Sequence, residues 1–144
     1  MKMFMCRLLL GSMLTLPAST VFAACDTADL AGANWRYLSI WVTTTSDSEA
    51  GLVTLPAAVD CRFTFSPSGT VTVDSCSGSD FPETFVEAFQ GWTPVLGSGC
   101  DFKGCIGAFC HRGRLSRDKL TLNGIVKGTL ETSLTRGSFS MVKR

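Results

Sequence analysis

Cys61-Arg62-Phe63-Thr64-Phe65-Ser66-Pro67-Ser68-Gly69-Thr70-Val71-Thr72-Val73-Asp74-Ser75-Cys76 decides the fold class. Arg62-Phe63-Thr64-Phe65 and Thr70-Val71-Thr72-Val73 read as two short β runs. Ser66 to Gly69 supply turn chemistry between them. A two-residue turn at Ser68-Gly69 sets Pro67 opposite Thr70, Phe65 opposite Thr72 and Phe63 opposite Asp74. Continued, that register brings Cys61 opposite Cys76. Directly opposed residues have Cα atoms about 4.5–5.5 Å apart, which a disulfide spans. The stretch therefore reads as a disulfide-closed β-hairpin, with Pro67 at its tip, where no central ladder bond is lost.

The other cysteines fit an oxidised, exported chain. Met1 to Ala23 has the build of a secretory signal: Lys2 and Arg7, then Leu8, Leu9, Leu10, Met13, Leu14 and Leu16, then Pro17 and Val21-Phe22-Ala23, with cleavage after Ala23. Its apolar part is shorter than the roughly 20 residues that span a bilayer. Cys6 leaves with it. Cys25, Cys61, Cys76, Cys100, Cys105 and Cys110 remain, an even set that can pair completely. Beyond Cys61–Cys76 the spacing selects no pairing. A competing reading takes Phe22-Ala23-Ala24-Cys25 as a lipoprotein box, which would lipidate Cys25 and orphan one thiol. Cys100, Cys105 and Cys110 beside His111 also invite a zinc reading. They lack a Cys-x-x-Cys knuckle, however, and export favours disulfides. No metal or cofactor is expected. Residues 24–144 are the length of one domain, secreted or periplasmic, with no transmembrane segment.

Working outward from the hairpin, short β runs alternate with Gly, Pro, Ser and Asp clusters. A strand is expected from Trp35 to Thr45, with Trp35, Tyr37, Ser39 and Trp41 on one side, followed by a polar loop from Ser46 to Ala50. Asp80-Phe81-Pro82-Glu83 starts a short helix that presents Phe85, Val86 and Phe89 and ends at Gly91. A second hairpin turns at Arg117-Asp118, with Leu115 facing Leu120. Thr129–Leu134 and Ser138–Val142 are expected as strands around an Arg136-Gly137 turn. These runs make an all-β fold: a single antiparallel β-barrel of about eight strands with one short helix, stapled by disulfides.

Charge is balanced overall, with 13 Lys and Arg against 12 Asp and Glu, which gives no case for nucleic-acid binding. It is not evenly spread. Between Ala24 and Phe102 the basic residues are Arg36 and Arg62 among ten acids; from Lys103 onward nine basic residues meet only Asp118 and Glu131. Arg112, Arg114, Arg117 and Lys119 are the densest basic run. They form either a guarded sheet edge or a site for an anionic partner. His111 is the chain's single histidine. The second hairpin sets it on the side of Leu115, Leu120 and Leu122, so it reads as a half-buried structural residue, not a catalytic base. No Gly-x-Ser-x-Gly motif accompanies it.

Leu30-Ala31-Gly32-Ala33-Asn34-Trp35-Arg36 resembles the opening of calycin-type barrels (lipocalins, avidins and small bacterial barrel inhibitors). There a Gly-x-Trp leads into the first strand; here the spacing is Gly32-x-x-Trp35. The resemblance implies a closed barrel, a binding role, and a cation from the last strand over Trp35, with Arg136 or Arg144 in that place. The expected function is thus an exported, non-enzymatic module that binds another exported or envelope protein, as an inhibitor of a hydrolase in one form. A small-ligand carrier of calycin type and a small hydrolase using His111 are the alternatives.

Overall fold

A computed structural model of the chain describes residues 24–32, 34–47, 51–79 and 83–144. Met1–Ala23, expected as an export signal, and the expected helix start at 80–82 lie outside the described residues. So do positions 48–50 of the expected loop.

Eight antiparallel strands form one curled sheet, a half-barrel. They are β1 (Asn34–Asp47), β2 (Gly51–Phe65), β3 (Val71–Ser79), β4 (Val95–Leu96), β5 (Asp101–Ile106), β6 (Phe109–Leu115), β7 (Thr121–Leu130) and β8 (Ser133–Lys143), with helix α1 (Glu83–Phe89) between β3 and β4. The order across the sheet is β3-β2-β1-β8-β7-β6-β5-β4. Every neighbour is thus a chain neighbour except at β1–β8, where the first strand meets the last. No strand ladder joins β3 to β4. That seam is bridged where Val71 donates to the Trp92 carbonyl (2.8 Å) and accepts from the Gly91 amide (2.9 Å).

The alternation expected of β1 holds: Trp35, Tyr37, Ser39 and Trp41 are all buried on the concave face. The strand runs further than expected, however. Ser46 and Asp47 pair with Leu52 and Gly51, so the polar residues expected in a loop extend a ladder instead. β2 likewise starts ten residues before Cys61. Pro56 interrupts nothing on its far side, because β3 pairs with β2 only from Ala58 onward.

Three expected turns are corrected. In the Cys61–Cys76 hairpin, Phe65 faces Val71 and Phe63 faces Val73. Gly69, at φ 82°, closes a three-residue loop in the way a type I turn plus a left-handed glycine does. That slips the register by one. A bulge between Arg62 and Phe63, with Asp74 as the extra residue, slips it back, so Cys61 still meets Cys76. In the second hairpin Leu115 faces Leu122, not Leu120. The shift is two residues, so inward and outward faces survive, and Leu120 sits half-exposed in the loop. The expected Arg136-Gly137 turn is absent. Both residues lie in the middle of β8, and the chain reverses at Glu131-Thr132.

Gly137 explains that error. A Cβ there would come within 2.5 Å of the Trp41 Cβ. The same relation recurs over the concave face: Gly104 lies under Trp92, Gly113 and Gly124 under Phe139, and Gly128 under Phe109. Each glycine clears room for an aromatic ring, as aromatic residues shield strand glycines elsewhere. α1 adds Phe89, whose ring lies 4.9 Å from Phe63 and 5.3 Å from Tyr37. The helix thereby plugs the seam with a fully buried side chain. Among the described residues, buried rings fill the concavity.

Three disulfides fasten this arrangement. Cys25–Cys100 ties the N-terminal segment to the β4–β5 loop, Cys61–Cys76 crosses β2–β3, and Cys105–Cys110 crosses β5–β6. Cys25 pairs with Cys100, so the six cysteines from Cys25 to Cys110 all lie in disulfides. Disulfides of this kind are compatible with an oxidising, extracytoplasmic compartment. Among the described residues no helix is long and apolar enough to cross a membrane.

Candidate functional site

His111 stands on the concave face of β6, opposite Gly104 and Val126. It is fully buried, not half-buried as expected. The rings of Trp92, Phe139, Tyr37 and Phe89 lie 5.1, 5.2, 5.9 and 6.0 Å away. Its Nε2 meets the Tyr37 hydroxyl at 2.9 Å. Among the described residues its Nδ1 has no partner, nor does Trp92 Nε1. Burial lowers the imidazole pKa to about 4 and raises that of the Tyr37 phenol, because a low-dielectric interior disfavours either charge. The histidine is therefore neutral at ordinary pH.

The convex face is arranged otherwise. Outward residues line up in rows that cross the strands. One row runs Cys105, Cys110, Lys127, Arg136, Val42, Pro56 from β5 to β2. The next runs Lys103, Arg112, Ile125, Ser138, Ile40, Ala58. Lys103 directly opposes Arg112, and Lys127 directly opposes Arg136. Like charges in directly opposed positions destabilise a sheet. The ion pairs among the described residues, Arg36–Asp60 and Lys119–Asp29, involve none of these four. The rows then turn apolar: Ile40 is 65 % exposed, Leu38, Val42 and Ile125 are exposed on the same face, and exposed Leu134 lies one row beyond Val42. A groove of about 340 Å³, lined by Cys110, Arg112, Ile125 and Lys127, lies within the basic half.

The basic run expected as a site is divided by the fold. Arg112 and Arg114 share the convex face of β6, as their spacing implied. β6 lies between β5 and β7, so these residues guard no edge. Arg114 faces Asp101 across the ladder and donates to the Gly99 carbonyl at 3.3 Å. Arg117 is exposed in the β6–β7 turn. Lys119 is committed elsewhere: its Nζ is 2.6 Å from Asp29, and that hydrogen bond holds the Asp29 carboxyl below its ordinary pKa. The residues that join Arg112 are Lys103, Lys127 and Arg136. This set is not legible in the sequence, because Arg136-Gly137 has the composition of a turn, which hides the pairing of Arg136 with Lys127.

Trp35 is fully buried and its indole donates to the Leu30 carbonyl at 2.8 Å. The cation over its ring is Lys143, 5.7 Å from the centroid, and not Arg136 or Arg144. Lys143 directly opposes Trp35 across the β1–β8 ladder.

Comparisons with protein-family models, with curated proteins and with solved structures return no match.

Proposed function

We propose that the protein is an exported, non-enzymatic binding module. Its convex face over β5–β8 recognises an acidic surface on another exported or envelope protein. The observation that carries this reading is two directly opposed like-charge pairs, Lys103 with Arg112 and Lys127 with Arg136. Such an arrangement costs stability in the free protein. An anionic partner relieves it, and positive potential concentrated on one face steers that partner in. The adjoining Ile40, Val42 and Ile125 supply the apolar contact that fixes a complex once it is aligned. The filled concavity favours this surface over a lumen for a small ligand. The burial of His111 likewise favours binding over hydrolysis, since a base must reach the proton it removes.

The test is capture from envelope or culture fluid with oxidised protein as bait, in parallel with a Lys127→Glu/Arg136→Glu variant. Proteins held by the wild type, released by moderate salt and lost from the variant are the expected result. An identical captured set on both baits overturns the reading.

A further inference from the structure

The three disulfides do not share one environment. In Cys25–Cys100 and Cys61–Cys76 one sulfur-bearing residue is fully buried, Cys25 at 4 % and Cys61 at 1 % exposure. Cys105–Cys110 has neither residue buried; Cys105 is exposed and Cys110 partly so. It also constrains the chain least. Its sequence separation is 5, against 15 and 75 for the others, and the β5–β6 hairpin that it crosses already closes at Gly107-Ala108. Entropic stapling by so short a loop is the weakest of the three.

Its surroundings are positively charged. Lys103 precedes Cys105 by two residues on the same face, Arg112 follows Cys110 by two, and Lys127 directly opposes Cys110. Neighbouring cations stabilise a departing thiolate and so speed attack on a disulfide. The convex groove is lined by Cys110 together with Arg112, Ile125 and Lys127. It therefore brings one cysteine of the bridge, two basic residues and an apolar residue to a single concavity.

We propose that Cys105–Cys110 is a thiol–disulfide exchange site for a low-molecular-weight thiol that carries carboxylates, seated in this groove on Arg112 and Lys127. The incoming thiolate attacks Cys110 Sγ, the sulfur of the cysteine that lines the groove. A new sulfur–sulfur bond forms between thiol and Cys110, the Cys105–Cys110 bond breaks, and its electron pair leaves on Cys105 Sγ beside Lys103. A second thiolate then attacks the thiol-derived sulfur of the mixed disulfide. That step releases the oxidised thiol as its own disulfide and leaves Cys110 reduced. Two electrons pass from two thiols to the protein, and no further reactant is needed. The inference goes beyond the proposed recognition of an acidic protein: it shares the cations of that face but requires no macromolecular partner, so either idea can fail alone.

The experiment exposes oxidised protein to reduced glutathione, or to cationic cysteamine, at equal thiolate concentration. Acid quenching, alkylation and peptide mass mapping follow. Each rate is normalised to the same thiol's rate on neutral hydroxyethyl disulfide. Cys105–Cys110 is expected to open first, with the glutathione adduct on Cys110 and the other two bridges intact. The normalised rate with glutathione is expected to exceed that with cysteamine by about tenfold, as electrostatic focusing gives. Salt should erase that preference. Arg112→Gln/Lys127→Gln should erase it too, without lowering the melting temperature. Earlier opening of another bridge, an adduct on Cys105, or equal normalised rates for the two thiols would overturn the proposal.

Discussion

Tyr37 and His111 meet in the core through one hydrogen bond of 2.9 Å that occupies a single imidazole nitrogen. The histidine is thus held neutral among aromatic rings, and the unfolded chain binds a proton that the folded chain refuses. Its folded pKa of about 4 lies below the ordinary 6.5. The contribution of neutral His111 is intact above pH about 6.5 and is lost as pH falls through about 4. The full loss is on the order of 3 kcal/mol. Urea titrations between pH 7 and pH 4 should show this decline, and a His111→Gln variant should flatten it. An unchanged slope in the variant would place the titrating group elsewhere.

Tyr37→Phe keeps the ring and removes the one partner of Nε2. Leaving a buried polar atom unpaired costs about 1–3 kcal/mol. Equilibrium unfolding at pH 7.5 measures it, and a loss well under 1 kcal/mol would mean that water reaches the imidazole.

Gly104→Ala and Gly124→Ala test the ring-over-glycine packing. An alanine at Gly104 would put its Cβ 2.7 Å from Trp92 Cζ2, and one at Gly124 would meet Phe139 Cε1 at 2.5 Å. Overpacking of this kind costs roughly 1–3 kcal/mol. Gly107→Ala, in open space at φ 55°, should lose stability through backbone strain alone. Tryptophan fluorescence separates Gly104→Ala from Gly107→Ala, since only the former crowds Trp92.

Replacing both cysteines of a bridge by serine should rank the bridges by the loop each closes. Chain entropy assigns about 2 kcal/mol to Cys105–Cys110, about 3 to Cys61–Cys76 and about 4.5 to Cys25–Cys100. Melting temperatures of the three double variants check the order. A protein that suffers most from losing Cys105–Cys110 would contradict it.

Lys127→Gln removes one member of a directly opposed like-charge pair. It should raise stability by a few tenths of a kcal/mol, up to about 0.5, with the gain fading as salt rises. A loss at low salt would mean that Lys127 is already satisfied in the free protein. Lys119 is the opposite case. Lys119→Ala should cost up to about 1 kcal/mol. Lys119→Gly should cost less, since the residue sits at φ 61°, where glycine is unstrained.

The parts of this fold that were legible in the sequence are those that follow from parity. Trp35, Tyr37, Ser39 and Trp41 alternate, so their common face is fixed by the strand period alone. Leu115 and Leu122 stayed inward although the turn between them was misplaced, because the error was an even number of residues. What remained hidden depended on distance. Gly137 has the composition of a turn residue, and only the arrival of Trp41 from a strand far away in sequence explains its place in a ladder. The convex basic set was hidden for a related reason. Lys103, Lys127 and Arg136 are scattered along the chain, and only the completed β5–β8 register sets them side by side.

The pairing of β1 with β8 has a consequence for the order of assembly. Trp35 lies against Lys143, nearly the whole folded chain away. β1, β2 and β3 form a local meander with its own disulfide, whereas the free edge of β1 is covered only by β8, the last of the eight described strands. Long-range closures of this sort are slow. During the wait β1 offers unpaired amides and carbonyls between two apolar faces, Trp35, Tyr37 and Trp41 on one side and Leu38, Ile40 and Val42 on the other. An edge so built is a template for pairing with a second chain. The yield of refolding should therefore fall with protein concentration, and the bottleneck is the arrival of a single strand.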